Sequence, residues 1–308
     1  PDTDQIAGVD YPSRETMKKT WELLQSDLDR ALSLFTQEQA LTFGPEYSYF
    51  NLVTTHALYA RIALQMNDWQ KALEHAVYVL NNSGVSLMNR ENYIAEWQKP
   101  EQPVSEIILE FSVPRTSEGE VRSSVAHDFF QFDNDKNYTD FVASRDLIDL
   151  YSSDDIRTDM FLTQELPTSI NEVVSDRTYF FTKKFQDEPG TTYIRLSEMY
   201  LICAEANARL NNTEAALTDL NMIRERAGLS PLFETENLLD EIFLERHREL
   251  AFEGHLLFDI IRFKKDINRL NDCLSSVCSL SYPSDYFILP IPESSINLNE
   301  NMQQNEGY

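Results

Sequence analysis

Glu245, Glu249 and Glu253 recur every four residues, which would line three carboxylates along one helix face. Together with Glu198, Glu205 and Asp259 they are the most tempting catalytic signal, because two carboxylates at the right separation hydrolyse a glycosidic bond. Arginines travel with them: Arg195, Arg224, Arg226, Arg246 and Arg262. Acids interleaved with guanidinium groups inside apolar helical runs point instead to a partly buried ion-pair network between helices, in which no carboxylate is spare. A structural ladder and no catalytic residue are expected.

Metal chemistry is poorly supported. His56, His75, His127, His247 and His255 are scattered, and His247 and His255 lie too far apart on a helix to share a metal easily. The stretch DNDKNYTD (133–140) sets Asp133, Asp135 and Asn137 at the first three ligand positions of a calcium loop. Its sixth position is Tyr138 where glycine is needed and its twelfth is Ser144 where glutamate is needed, so a solvated turn is expected. P-loop, dinucleotide and HExxH patterns are missing, and no cofactor is expected.

Sugar binding asks for flat apolar faces beside amide and charged groups. The stretch from 92 to 180 holds Tyr93, Trp97, Phe129, Phe130, Phe132, Tyr138, Tyr179 and Phe180. Asn92, Gln98, Gln131, Asn134, Asn137 and Arg145 are interspersed. Most of these rings belong to a core, since burying one is worth a few kcal/mol. Trp97 is the best candidate, because AEWQKPEQP is polar and loop-like. The candidate ligand-binding set is Trp97, Tyr93, Asn92, Gln98, Tyr138 and Arg145.

The chain that must position them has 308 residues, with 26 Lys plus Arg against 51 Asp plus Glu and a net charge of −25. That balance argues against nucleic acid and against a polybasic grip on anionic lipid. At 42% hydrophobic the chain is too apolar for a disordered acidic tail, and only eight glycines favour helices over turn-rich sheets. No stretch approaches the roughly 18 uninterrupted apolar residues of a membrane helix. The sequence opens at Pro1 without Met and without a charged-then-apolar leader, so a start lost to processing or trimming is expected. Cys203 suits a buried position; Cys273 and Cys278, in a polar loop, either close a small ring or stay as thiols.

A first helix is expected from Ser13 as N-cap through Phe35, with others over Tyr47–Met66 and Asp68–Leu80. The segment ARIALQMNDWQKALEHA aligns with AEANARLNNTEAALTDL, matching Ala60 to Ala204, Ala72 to Ala216, Asn67 to Asn211 and Leu73 to Leu217. Small residues at fixed places let paired helices approach closely, the logic of a tetratricopeptide repeat. Helix pairs are therefore expected over 47–82 and 193–228, with 85–190 a loop-rich, partly β insertion carrying strands near 106–112 and 179–185. A short helix is expected near Ser144–Tyr151, and helices capped by Thr235 over 235–263. The remainder, 264–308, is expected as a loop and an extended strap, barred from helix through Pro290 and Pro292.

Four ordered blocks, YIRLSEMYLICAEANARL, ALTDLNMIRERAGL, LERHRELAFEGHLLFDIIRF and LPIPESSINLNENMQQNEGY, resemble the SusD/RagB family of outer-membrane surface lipoproteins. SDLDRAL and the repeat at 47–82 occupy the family's expected order, so the resemblance covers nearly the whole chain as one domain over 1–308. It implies a mainly α fold with tetratricopeptide-like helix pairs and an irregular insertion. It also implies a non-enzymatic subunit that captures oligosaccharide or polysaccharide at the cell surface, anchored by lipid to the outer membrane. Such a subunit delivers its glycan to a SusC-like TonB-dependent transporter. Family members usually carry a lipobox cysteine and a helical N-terminal segment, neither of which precedes Pro1. A helical-repeat module, or an uptake subunit binding peptide and no sugar, is the alternative.

Overall fold

The computed structural model describes residues 11–35, 45–98, 103–112, 129–130, 132–134, 137–139, 141–170, 172–185, 190–271, 273 and 275–308. Helices start where side chains cap them. Thr16 caps the first in place of Ser13: its Oγ1 accepts from Lys19 N at 3.1 Å, and α1 runs Met17–Phe35. Asn51 forms a reciprocal capping box with Thr54 and starts α2 (Leu52–Gln65), five residues after the expected Tyr47. Residues Glu46–Ser48 are instead a single 3₁₀ turn. Asp68 accepts from Lys71 N and opens α3 (Trp69–Asn82).

The later pair is α6 (Leu196–Arg209) and α7 (Thr213–Arg226), following α4 (Tyr93–Trp97) and α5 (Arg145–Ile148). Its turn repeats the earlier one bond for bond. Asn67 and Asn211 both take left-handed φ, 61° and 65°, and each N–H reaches back three residues, to Leu64 O and Ala208 O. Asp68 N and Asn212 N each reach back five, to Ala63 O at 2.9 Å and Asn207 O at 2.8 Å. This double closure ends a helix on a residue that tolerates positive φ, and asparagine does so better than most. Ala60, Ala72, Ala204 and Ala216 are all fully buried. One apolar cluster joins Ala60, Ala72 and Ala76 of the first pair to Met199, Ile202 and Ala206 of the second.

Leu220 and Ile223 of α7 share a further cluster with Leu201 of α6 and Ile242 of α8 (Leu238–Glu249). The expected run through 263 breaks after α8: Phe252 and Gly254 have φ of 68° and 80°, and α9 (Leu256–Phe263) begins anew. Thr235 does not cap α8 itself; its Oγ1 takes the N–H of Asn237 one turn earlier. Among the described residues no helix is long and apolar enough to cross a membrane.

The insertion holds two-stranded pieces. Strand β1 (Ile107–Ser112) pairs antiparallel with β6 (Gly190–Arg195), which runs straight into α6. The pair β2 (Phe132–Asn134) and β3 (Asn137–Tyr138) brackets the calcium-like stretch, whose Asp135 lies outside the described residues. Strands β4 (Phe161–Ile170) and β5 (Val173–Thr182) form a ten-pair hairpin in unbroken register. Near the C-terminus β7 (Ile267–Asn268) pairs with β8 (Ser279–Leu280), and Cys273 and Cys278 are joined by a disulfide. The tail is not an extended strap. After Pro290 and Pro292 it forms α10 (Glu293–Leu298), then folds back through Gln304, whose amide bonds Ile291 N and O. Asn301 and Asn299 donate to the carbonyls of Tyr11 and Pro12, tying the tail to the segment before α1.

Candidate functional site

The acids found first in the sequence are sealed. Glu249 closes α8 with its carboxylate between three guanidinium groups: Arg226 at 2.5 Å, Arg195 at 2.6 Å and Arg157 at 2.9 Å. Arg195 also grips Glu106 and Glu253, while Arg157 bridges Asp155 and Glu245. Glu205 and Asp259 share Arg262; Glu198 takes both Nε and a terminal nitrogen of Arg61. Burial alone would raise the carboxyls of Glu249 and Glu253. The cations overcome it: Arg195 and Lys184 hold Glu253 at about 2, and three arginines hold Glu249 well below the carboxylate range. A carboxylate locked in its ionised form and closed to solvent cannot deliver a proton to a leaving group.

The network is deeper and wider than the sequence indicated. Glu253 lies beyond the end of α8 and joins through the following turn, not through a continuous helix face. Arg157, Arg61, Lys184, Glu106 and Asp155 were missed. Asp155 and Arg157 pair locally, two residues apart, but the other partners lie far away in sequence; Arg157 and Glu249, for instance, are 92 residues apart.

Two of the expected ligand rings are lids on this network, which corrects their assignment. Trp97 is 1% exposed: Lys184 Nζ lies 5.0 Å from the ring centroid, the Arg195 guanidinium 5.5 Å from it, and Phe185 packs edge-on at 5.5 Å. Tyr93 is fully buried with the Arg226 guanidinium 4.4 Å from its ring centroid. A π face that already covers a desolvated cation is not open to a sugar. The signal was present: Tyr93 and Trp97 stand four apart on one turn, hence on one face. Asn92 and Gln98 flank that turn and are exposed.

From Trp97 the rings continue outward. Phe185 lies 6.1 Å from Phe130, Phe130 lies 6.4 Å from Phe141, and Phe141 packs edge-on against Phe129 at 5.2 Å. The last two are 52% and 47% exposed. Tyr138 is also exposed, beside Phe132 and Phe181. Arg145 is exposed with its guanidinium 4.6 Å from the Phe180 ring centroid. Phe180 and Phe181 are successive strand residues and point to opposite faces, so Tyr138 and Arg145 flank the β5 ribbon from different sides. The open aromatic ridge is therefore the Phe129–Phe141 pair. Phe141 was not singled out in the sequence, where it sits alone among small and polar residues.

Residues 169–308 match the family model described as SusD family. The starch-binding protein SusD of Bacteroides thetaiotaomicron is 36% identical over 120 residues, which is 37% of this chain and 21% of that protein. A crystal structure of a SusD superfamily protein from the same species superposes with a TM-score of 0.80 at 26% identity. That superposition covers 97% of this chain and 68% of the other. Over residues 169–308 the chain resembles the SusD family, and it shares the SusD-type fold along nearly its whole length. A putative sugar binding protein from Bacteroides vulgatus has the same SusD-type fold, with TM-score 0.80, 22% identity, and 97% and 67% coverage. The matched stretch thus spans about a fifth of the SusD starch-binding protein, whereas the fold is shared along almost all of this chain.

Proposed function

We propose that this protein is a non-enzymatic, surface-exposed glycan-binding subunit of a polysaccharide-uptake complex. The observation that carries this is the Phe129–Phe141 ring pair, open to solvent on a frame in which Glu245, Glu249 and Glu253 are committed to cations. Exposed rings at a fixed angle offer C–H surfaces of a sugar a stacking platform. The starch-binding activity in the name of the B. thetaiotaomicron relative supports oligosaccharide as the ligand class. The resemblance to the SusD family supports lipid anchoring at the outer membrane and delivery to a SusC-like TonB-dependent transporter.

Isothermal titration against soluble polysaccharides, starch first, tests the ligand. Binding that is lost in Phe129→Ala/Phe141→Ala, with an unchanged melting curve, is the expected result. Binding that survives both substitutions overturns the platform. A wild-type chain that binds no glycan but captures peptides overturns the ligand class. Co-purification with a TonB-dependent barrel encoded next to it tests the partner.

A further inference from the structure

A concavity lined by none of the ridge's rings lies beside α5. It is a groove of about 1040 Å³ between α5, α8, α9 and the disulfide-closed loop, with Cys273 in its wall. Its volume is at the upper end for pockets that hold small organic ligands. The floor is branched aliphatic: Leu147, Leu244, Leu257 and Ile260, with Phe243 at one side. Such a floor suits a flexible hydrocarbon better than the flat face of a sugar.

One acid of its lining is neutralised by a cation, and the other two are held by hydrogen bonds from neutral groups. Asp240 pairs with Lys265 at 2.6 Å. Asp146 accepts from the backbone of Leu270 and the amide of Asn271, and Asp266 accepts from Tyr282 N. Arg269 alone among the charged lining residues has no partner for its side chain among the described residues, although its backbone N–H is fixed to Cys278 O at 2.8 Å. His247 also lines the groove, with no described hydrogen bond to its ring; burial holds it neutral. One free guanidinium over an aliphatic floor matches a ligand with one negative charge and a long apolar body. A dianion would leave a charge uncompensated on a protein of net charge −25.

We propose that this groove binds an amphipathic monocarboxylate, its hydrocarbon body on Leu244, Leu257 and Ile260 and its carboxylate on Arg269. The site is independent of the glycan platform, sharing none of its rings.

The test is calorimetric titration of the intact chain with dodecanoate below its micellar concentration, with dodecanol and dodecyltrimethylammonium as controls. Saturation at one dodecanoate per chain is expected, with the two controls about tenfold weaker or worse. Arg269→Ala should weaken dodecanoate about tenfold while leaving dodecanol unchanged. Leu257→Glu, at a partly exposed position, should abolish binding without moving the melting curve, and Phe129→Ala/Phe141→Ala should leave it intact. Equal affinity for dodecanol, indifference to Arg269→Ala, binding that survives Leu257→Glu, or no heat at all would each overturn the proposal.

Discussion

The two helix pairs, α2–α3 and α6–α7, turn on the same left-handed asparagine and close on the same buried alanines, yet their polar groups respond oppositely to protons. In the first pair His56 and His75 face each other, Nδ1 to Nδ1 at 2.8 Å, with Tyr78 stacked on one ring and Tyr59 on the other. One must donate and the other accept, so the contact needs at least one neutral ring. Burial, then the neighbouring His75, pulls His56 down to about 4; burial and Lys71 lower His75 against Asp29 and Asp68. In the second pair Asp219 accepts from Asn207, and burial pushes its carboxyl up to about 6. Beyond it the carboxylates toward α8 are pinned by arginine and do not titrate near neutrality. A shared backbone device therefore leaves the chemistry of each interior open.

The largest test strikes the pinned charges. Glu249→Ala should cost about 3–5 kcal/mol by denaturant unfolding, because three guanidinium groups would be left buried around a void. A loss below 1 kcal/mol would mean the network is better solvated than its geometry indicates. Next, Ala60→Leu and Ala204→Leu should each cost about 1–3 kcal/mol, since both alanines fill contacts with no room for a larger side chain. A markedly smaller loss at one position would break the equivalence of the pairs.

Acid separates the pairs by sign. The folded-state pKa of His56 lies below its unfolded value of about 6.5, so the unfolded chain takes up protons that the folded one refuses. Stability from this pair is present above about pH 6.5 and falls as pH drops toward 4. The loss is on the order of 1 kcal/mol after allowance for a half-exposed ring. Asp219 acts the other way: its raised pKa lets the folded state bind a proton first, so stability rises as pH falls from about 6 toward about 4. His247 and His255 shift downward with His56 and add to the slope. His56→Phe/His75→Phe should therefore flatten the pH dependence only in part, while Asp219→Asn should steepen it. The same direction for both variants would sink the contrast. The smallest effect is at the turns, where Asn67→Ala and Asn211→Ala should each cost roughly 1 kcal/mol through positive φ, equally in both.

Local spacing carried what local forces decide. The alanine notches, the paired asparagines and the strand run expected at 106–112 were legible because each depends on neighbours within a turn or a pleat, whereas the run expected at 179–185 overlaps only the end of the observed strand over 173–182. The expected helix near Ser144 was found for the same reason, with Ser144 as its cap. Trp97 went astray because its polar flank, Gln98 onward, describes the surface side of a one-turn helix and says nothing of the other side. What covers that side is Lys184 and Arg195, which arrive from about ninety residues later.

The sequence by itself determined the helix pairs, the matching of acids with arginines and the family resemblance. These rest on residue type and short spacing, which survive without coordinates. Only the tertiary structure decided which rings meet solvent and which carboxylates lose their protons for good. Such outcomes depend on desolvation and on charges that chain topology brings together from distant positions, and no local window contains them.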